Sequence, residues 1–212
     1  MKKEELILVG GGGHCKSCID VIESEGRFNI KGIIDVPEKS GMSIFDYPVI
    51  GSDDDLAEWS KRGYNFLITL GHMGNSSRRR ALFNIIKLNG GYLPVIISPL
   101  AYVSKYSYIK EGTIIMHHCM VNANVSIGEN SIMNSKALLE HDVVVGDDCH
   151  VSTGVLVNGN CTIGNNVFIG SGSIIKNGIG IIDTVVIGTG SNVVKDIEIS
   201  GIYVGNPVKL QK

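Results

Sequence analysis

The sequence predicts an α/β, Rossmann-like amino-terminal domain over residues 1–98, followed over residues 99–212 by a left-handed parallel β-helix. Three observations predict it. Strand-like and helix-like runs alternate up to about Ser98, the order of an open parallel sheet with helices on its faces. From Val103 to Val193 every sixth residue, sixteen in succession, is Val, Ile, Leu or Met. Four residues after each of these comes a second, mostly small set that runs from Ser107 through Cys119, Ala137 and Cys149 to Ile197.

In the first half, Glu5–Gly10 is an apolar run that reads as a strand. The glycines behind it lead into a helix over Cys15–Glu25, with Ile19, Val21 and Ile22 able to pack inward. Ile30–Asp35 is a second strand. Asp53–Lys61 starts a helix with acidic residues at its amino end, where the helix dipole favours them. Asn65–Leu70 is a third strand before the basic helix Ser76–Leu88, which Gly90-Gly91 stops, and Tyr92–Ile97 reads as a fourth strand. Within the basic helix, Arg78-Arg79-Arg80 reads as a solvated face.

The second half follows from its period. If about half of all residues were acceptable at each position, such a register would arise by chance about once in 10^5. A hexad of this kind fits a β-helix, in which each short strand places one aliphatic side chain inside and the chain then turns a corner; three hexads close one triangular coil. An amphipathic helix would need spacings of three and four, and a sandwich would vary its strand lengths. Each coil buries its interior only against its neighbours, so stability comes from stacking about five turns. Gly128, Gly146, Gly164, Gly170 and Gly188, one step past the aliphatic position, suit corners where crowding or a positive φ excludes a side chain.

Composition removes several classes. A net charge of −2 and a pI near 6.3 leave no positive excess for a nucleic-acid backbone. No apolar run approaches the ~20 residues that span a bilayer, so no membrane partner is expected. The five cysteines are an odd number, and Cys119, Cys149 and Cys161 occupy small-residue slots of the repeat; structural thiols of a cytoplasmic protein are expected. Cys15-Lys16-Ser17-Cys18 has redox spacing but opens a helix and lacks a second pair for zinc. Met116-His117-His118-Cys119 looks metal-like, yet consecutive corner residues diverge, so no metal is expected.

Leu8-Val9-Gly10-Gly11-Gly12-Gly13-His14-Cys15-Lys16, the unbroken hexads, Glu140-His141-Asp142 and the ending Tyr203-Val204-Gly205-Asn206-Pro207-Val208-Lys209 together carry a likeness over the whole chain. It resembles the sialic acid O-acetyltransferase and bacillosamine N-acetyltransferase family of bacterial sugar acyltransferases built on hexapeptide repeats. The resemblance implies a homotrimer, a nucleotide-sugar site in the amino-terminal domain, acetyl-CoA as co-substrate in the groove between adjacent β-helices, and a histidine base at the subunit interface. Two departures stand out. Aspartate follows His141 where relatives such as the bacillosamine enzyme have glutamate, and Gly71-His72-Met73-Gly74-Asn75 looks longer than the family's usual turn.

Acyl transfer from a thioester needs a deprotonated nucleophile, a donor for the developing oxyanion, and alignment of two substrates. His141 is the candidate base: it falls two places after Leu139, at a corner, and an imidazole suits proton transfer near neutral pH. Glu140 and Asp142 flank it, and by resemblance Asp142 orients it. Gly159 lies eighteen residues on, one coil above, so its N–H is a candidate oxyanion donor. Ser171 and Thr189 are likewise eighteen apart and stack, with Gly170 and Gly188 keeping that wall low for a pantetheine arm. His150 aligns with a family position that contacts acetyl-CoA. The glycine turn before the first helix can meet phosphate at a helix N-terminus. By resemblance Gly12, Gly13, His14, Asp35 and Gly71 touch the nucleotide sugar. The expected activity is N-acetylation of a nucleotide-linked 4-amino-sugar. O-acetylation of sialic acid and a non-catalytic β-helix scaffold are the alternatives, and an NAD-dependent oxidoreductase would need a catalytic dyad that the sequence lacks.

Overall fold

The computed structural model describes residues 3–211. Its first part is a five-stranded sheet. The strands are β1 (Glu4–Val9), β2 (Phe28–Ile34), β3 (Ser43–Ile44), β4 (Tyr47–Gly51) and β5 (Asn65–Ile68), in the order β3-β4-β2-β1-β5. All pairs are parallel except β3 with β4. The alternation along β1 decides what covers each face: Leu6 and Leu8 pack with Cys15, Cys18, Ile19 and Ile22 of α1 (Gly13–Glu25). Ile7 and Val9 pack on the other side with Leu56 of α2 (Leu56–Lys61) and Leu82, Phe83 and Ile86 of α3 (Ser77–Leu88).

Three local readings change. The short β3 and its antiparallel partner β4 fill the stretch between the second strand and the acidic helix, where the sequence shows no periodic run long enough to mark them. The acidic start of that helix forms a separate single turn over Asp53–Asp55, capped reciprocally by Ser52 and Asp55. Tyr92–Ile97 is no fourth strand of this sheet. Tyr92 makes one bridge to Asn65, Pro94 cannot donate to a ladder, and Ile96–Ile97 pairs instead with Ile114–Ile115 as the first rung of the second domain.

From Ile96 onward the chain is the parallel β-helix that the hexads predict. Two-residue strands form three faces, and each rung pairs in parallel with the rung eighteen residues on, as Val121 does with Leu139 and Leu139 with Val157. The second residue of each rung points inward and is buried along most of the stack. One face begins at Ile96–Ile97, receives α1, and is closed at the far end by the hairpin Gly201–Gly205 and Val208–Leu210. A second runs from Tyr102–Val103 to Asn192–Val193, and a third from Tyr108–Ile109 to Gly180–Ile181.

The corners correct the reading of their glycines. Positive φ falls three places past the aliphatic position, at Asn124, Asn130, Asp142, Asp148, Asn160 and Asn166 among others, residue types that tolerate the left-handed region. The glycines one place past it answer to crowding alone: a Cβ on Gly170 would stand 2.6 Å from the amide nitrogen of Thr189 in the coil above.

The arginine run is not a solvated face. Arg78 pairs with Asp53, and Arg80 bridges to Asp148 and Glu129 of the β-helix. Arg79 is 2 % exposed and donates to the carbonyls of Ile68, Leu70, Asn130 and Gly112, which ties the end of β5 to two β-helix corners. Spacing alone hides this, because α3 lies between two partners and has no free face at Arg79.

Candidate active site

His141 stands on the edge between the second and third faces, in the corner after Leu138–Leu139. Its side chain is 61 % exposed, and Nδ1 lies 2.7 Å from Oδ2 of Asp142. With a carboxylate accepting at Nδ1, that nitrogen carries the hydrogen and Nε2 keeps its lone pair toward solvent. The left-handed backbone of Asp142, φ +61°, lets its short side chain turn back to the preceding residue. Oδ1 accepts from Nδ2 of Asn124 at 2.8 Å. The bond from Asn124 first, and the bond from His141 second, hold the Asp142 carboxyl below the usual carboxylate range. Oε2 of Glu140 accepts from Nδ2 of Asn122 at 2.9 Å and from the backbone N–H of His141 at 3.4 Å, and of the two flanking acids it is Asp142 that bonds the ring.

Gly159 lies directly over the imidazole, as the eighteen-residue spacing requires. A Cβ there would come within 2.6 Å of Nε2 of His141. Its carbonyl accepts from Gly178, whereas its N–H has no acceptor among the described residues. The imidazole is exposed while Gly159 is buried against it, and a lone-pair nitrogen beside an amide N–H without an acceptor is the pairing that general-base acyl transfer uses.

Gly170, Ser171, Gly188 and Thr189 form the next edge, between the first and second faces. Oγ of Ser171 hydrogen-bonds Oγ of Ser152 at 2.9 Å, and a Cβ on Gly188 would meet Val204 of the closing hairpin at 2.7 Å. These residues and His141 occupy opposite margins of the second face and do not meet within one chain.

His150 lies on the first face, buried under the amino-terminal sheet. Its Nδ1–H donates to the carbonyl of His72 at 2.8 Å, and Nδ2 of Asn134 donates to its Nε2 at 3.2 Å. His14 and Gly71 converge on it: the His14 and His150 rings are 6.3 Å apart, and a Cβ on Gly71 would lie 3.9 Å from His14 and 4.0 Å from His150. The turn after β5 brings His72 over His150, a contact that no spacing in the sequence announces. Gly12 caps α1 without a side chain, Gly13 opens it, and a Cβ on either would meet nothing within 4 Å, so the amide edge of that helix is open. Asp35 sits under this turn: Oδ2 accepts from Gly11 N at 2.6 Å and from Lys39 Nζ at 2.7 Å, and Oδ1 from Val36 N at 2.7 Å. Burial pushes its carboxyl up, but these three bonds outweigh it and the net shift is down.

The junction histidines make a prediction about pH. Burial first, then Arg79 and His150, bring His14 down to about 3; burial, His150 and Arg79 bring His72 down to about 3. Burial lowers His150 as well. Unfolded imidazoles take up protons below about 6.5, whereas these resist, so the unfolded state binds more protons between about 6.5 and about 3. Stability is complete above that window and falls as pH drops through it. Thermal midpoints measured from pH 7 to pH 4 are expected to fall, and His72→Gln to flatten the fall; a flat profile in the parent protein contradicts this.

Among the described residues no group of three or more His, Cys, Asp or Glu side chains is arranged to hold a metal, and no helix is long and apolar enough to cross a membrane.

Residues 5–86 match the family model described as PglD N-terminal domain, and residues 142–177 match that of the bacterial transferase hexapeptide (six repeats). No curated protein matches the chain. Among solved structures, the chain is similar to a histidine-to-asparagine mutant of perosamine N-acetyltransferase from Caulobacter crescentus in complex with CoA and GDP-perosamine. That match has 27 % identity over 98 % of this chain and 97 % of that one, with a TM-score of 0.91. The acetyltransferase domain of PglB from Neisseria gonorrhoeae, in complex with acetyl coenzyme A, is 28 % identical over 99 % of this chain and 100 % of that one, with a TM-score of 0.92. WeeI from Acinetobacter baumannii shares the fold at 20 % identity, over 99 % of this chain and 100 % of that one, with a TM-score of 0.68.

Proposed function

We propose, from the premise that this chain is a bacterial sugar acetyltransferase with a PglD-type amino-terminal domain and a hexapeptide-repeat helix, that it moves the acetyl group of acetyl-CoA onto the amine of a nucleotide-linked 4-amino-sugar. The observation that carries this reading is the exposed His141–Asp142 pair with the free N–H of Gly159 above it. The sugar amine attacks the thioester carbonyl, and Nε2 of His141 takes the proton that the nitrogen must lose. The N–H of Gly159 donates to the oxyanion, the C–S bond breaks, and the imidazolium returns its proton to the departing sulfur. Asp142 fixes the tautomer and stabilises the transient cation.

In this reading the sheet domain before Ile96 holds the nucleotide sugar and the β-helix from Ile96 onward carries the transfer. Gly12 and Gly13 offer open amides at the start of α1 to the diphosphate, Asp35 holds the turn beneath them, and His14 and Gly71 border the sugar. Gly170, Ser171, Gly188 and Thr189 line the pantetheine arm, with His150 at its inner end. The five buried thiols suit the reducing cytoplasm.

The working unit is a homotrimer. Outward residues of the second face form a ladder of Tyr102, Met120, Leu138, Leu156 and Ile174, apolar on five consecutive rungs and partly or largely exposed in the single chain, before Asn192 ends it on the sixth. Burying that face around a threefold axis brings the Ser171 margin of one copy to the His141 margin of the next, which supplies the second wall that one chain lacks. Leu156→Asp, an outward change that leaves the interior intact, is expected to yield monomers by light scattering and to abolish turnover. A trimeric Leu156→Asp protein contradicts this packing.

The test of function is thiol release from acetyl-CoA with UDP-, dTDP- and GDP-linked 4-amino-sugars and with free sialic acid. Release with at least one nucleotide amino sugar is expected. Activity confined to sialic acid, or binding of acetyl-CoA with no release for any acceptor, overturns it.

A further inference from the structure

The edge that bears His141 holds one more side chain directed at the pair. Asn124 occupies the same corner one coil below Asp142, and both are left-handed, with φ of +62° and +61°. The Asp142 carboxylate is thereby divided: Oδ1 accepts from Asn124 at 2.8 Å and Oδ2 faces His141 at 2.7 Å. Without the amide below it, an exposed aspartate would be free to turn about its side-chain torsions, and the imidazole, whose ring bonds only that carboxylate, would turn with it. The same pairing recurs at another corner, where Nδ2 of Asn130 donates to Oδ1 of Asp148 at 2.6 Å, but there the other oxygen holds Arg80 and the arrangement is structural. At Asp142 the other oxygen holds the candidate base. Glu140, the other flanking acid, accepts from Asn122 and from the backbone N–H of His141 and makes no bond to the ring.

We infer that Asn124 is a positioning residue for acyl transfer, anchoring Asp142 so that the imidazole of His141 keeps one tautomer and one orientation. This rests on the reading of His141 as the base.

The test is a double-mutant cycle in the full-length enzyme, with thermal midpoints alongside. Asn124→Gly removes the amide and accepts the left-handed backbone without strain. It is expected to lower kcat about tenfold, as loss of one charge-assisted hydrogen bond would, with KM for acetyl-CoA within about twofold and the midpoint unchanged. Asp142→Asn is expected to cost about a hundredfold, and Asn124→Gly to cost nothing further in that background, because a residue acting through Asp142 has nothing left to position. Asn124→Asp also suits the corner but turns a carboxylate on Asp142, and it should lose at least as much as glycine. Wild-type kcat in both Asn124 variants, or losses that multiply across the cycle, overturns the assignment. Wild-type turnover in His141→Ala removes the underlying reading and Asn124 with it, which separates the two failures.

Discussion

His141→Ala is expected to lower kcat by roughly 10²–10⁴ while leaving acetyl-CoA affinity nearly intact. The side chain is exposed and packs in no interior, so its removal leaves the coil stack unchanged and the thermal midpoint should stay within about 2 °C of the parent. What the variant removes is the proposed proton acceptor at Nε2, on the ring that bonds Asp142 through Nδ1 and lies against Gly159. His141→Asn should fare no better, since an amide has the shape to occupy the corner but no basic lone pair. Residual turnover would come from orientation of the substrates and the Gly159 donor. A rate within about threefold of the parent would remove His141 from the chemistry.

Arg79→Leu is expected to destabilise the protein by about 3–5 kcal/mol in urea unfolding. The guanidinium is sealed from solvent, and its partners are four backbone carbonyls, those of Ile68, Leu70, Asn130 and Gly112. Leucine fills part of the volume and leaves those oxygens buried without this donor, each a desolvated polar group with no return. Arg79→Lys should recover only part of the loss, because a compact ammonium cannot span four acceptors that a planar fork reaches together. Leu70 precedes Gly71 and His72, so the same variant should also weaken binding of the nucleotide sugar. An Arg79→Leu protein as stable as the parent would contradict the weld between the sheet and the β-helix.

Much of this architecture is legible in the order of residues alone. The period of six survives because each inward position meets the same surroundings in every coil, so Val121, Leu139 and Val157 are interchangeable in kind and their pairing follows by arithmetic. The same arithmetic places Gly159 over His141. What arithmetic cannot deliver is contact between parts of different period. Arg79 looks like any member of a basic helix until Asn130 and Gly112 are brought beneath it, and His72 is an ordinary loop residue until His150 donates to its carbonyl. Tyr92–Ile97 has the composition of a strand, but Pro94 divides it and hands its last rung to the β-helix. Asn124 is within reach of the same counting, since it precedes Asp142 by one coil and shares its left-handed slot; assigning positive φ to the corner glycines instead of the Asn and Asp positions obscures the signal.

The most direct measurement is the chemical form of the product. The enzyme is incubated with acetyl-CoA and a nucleotide-linked 4-amino-sugar, and the acetylated sugar is treated with neutral hydroxylamine and weighed by mass spectrometry. An acetyl group that stays in place is an amide on nitrogen, the result this account predicts. An acetyl group that hydroxylamine strips is an ester on oxygen, and that result would contradict it.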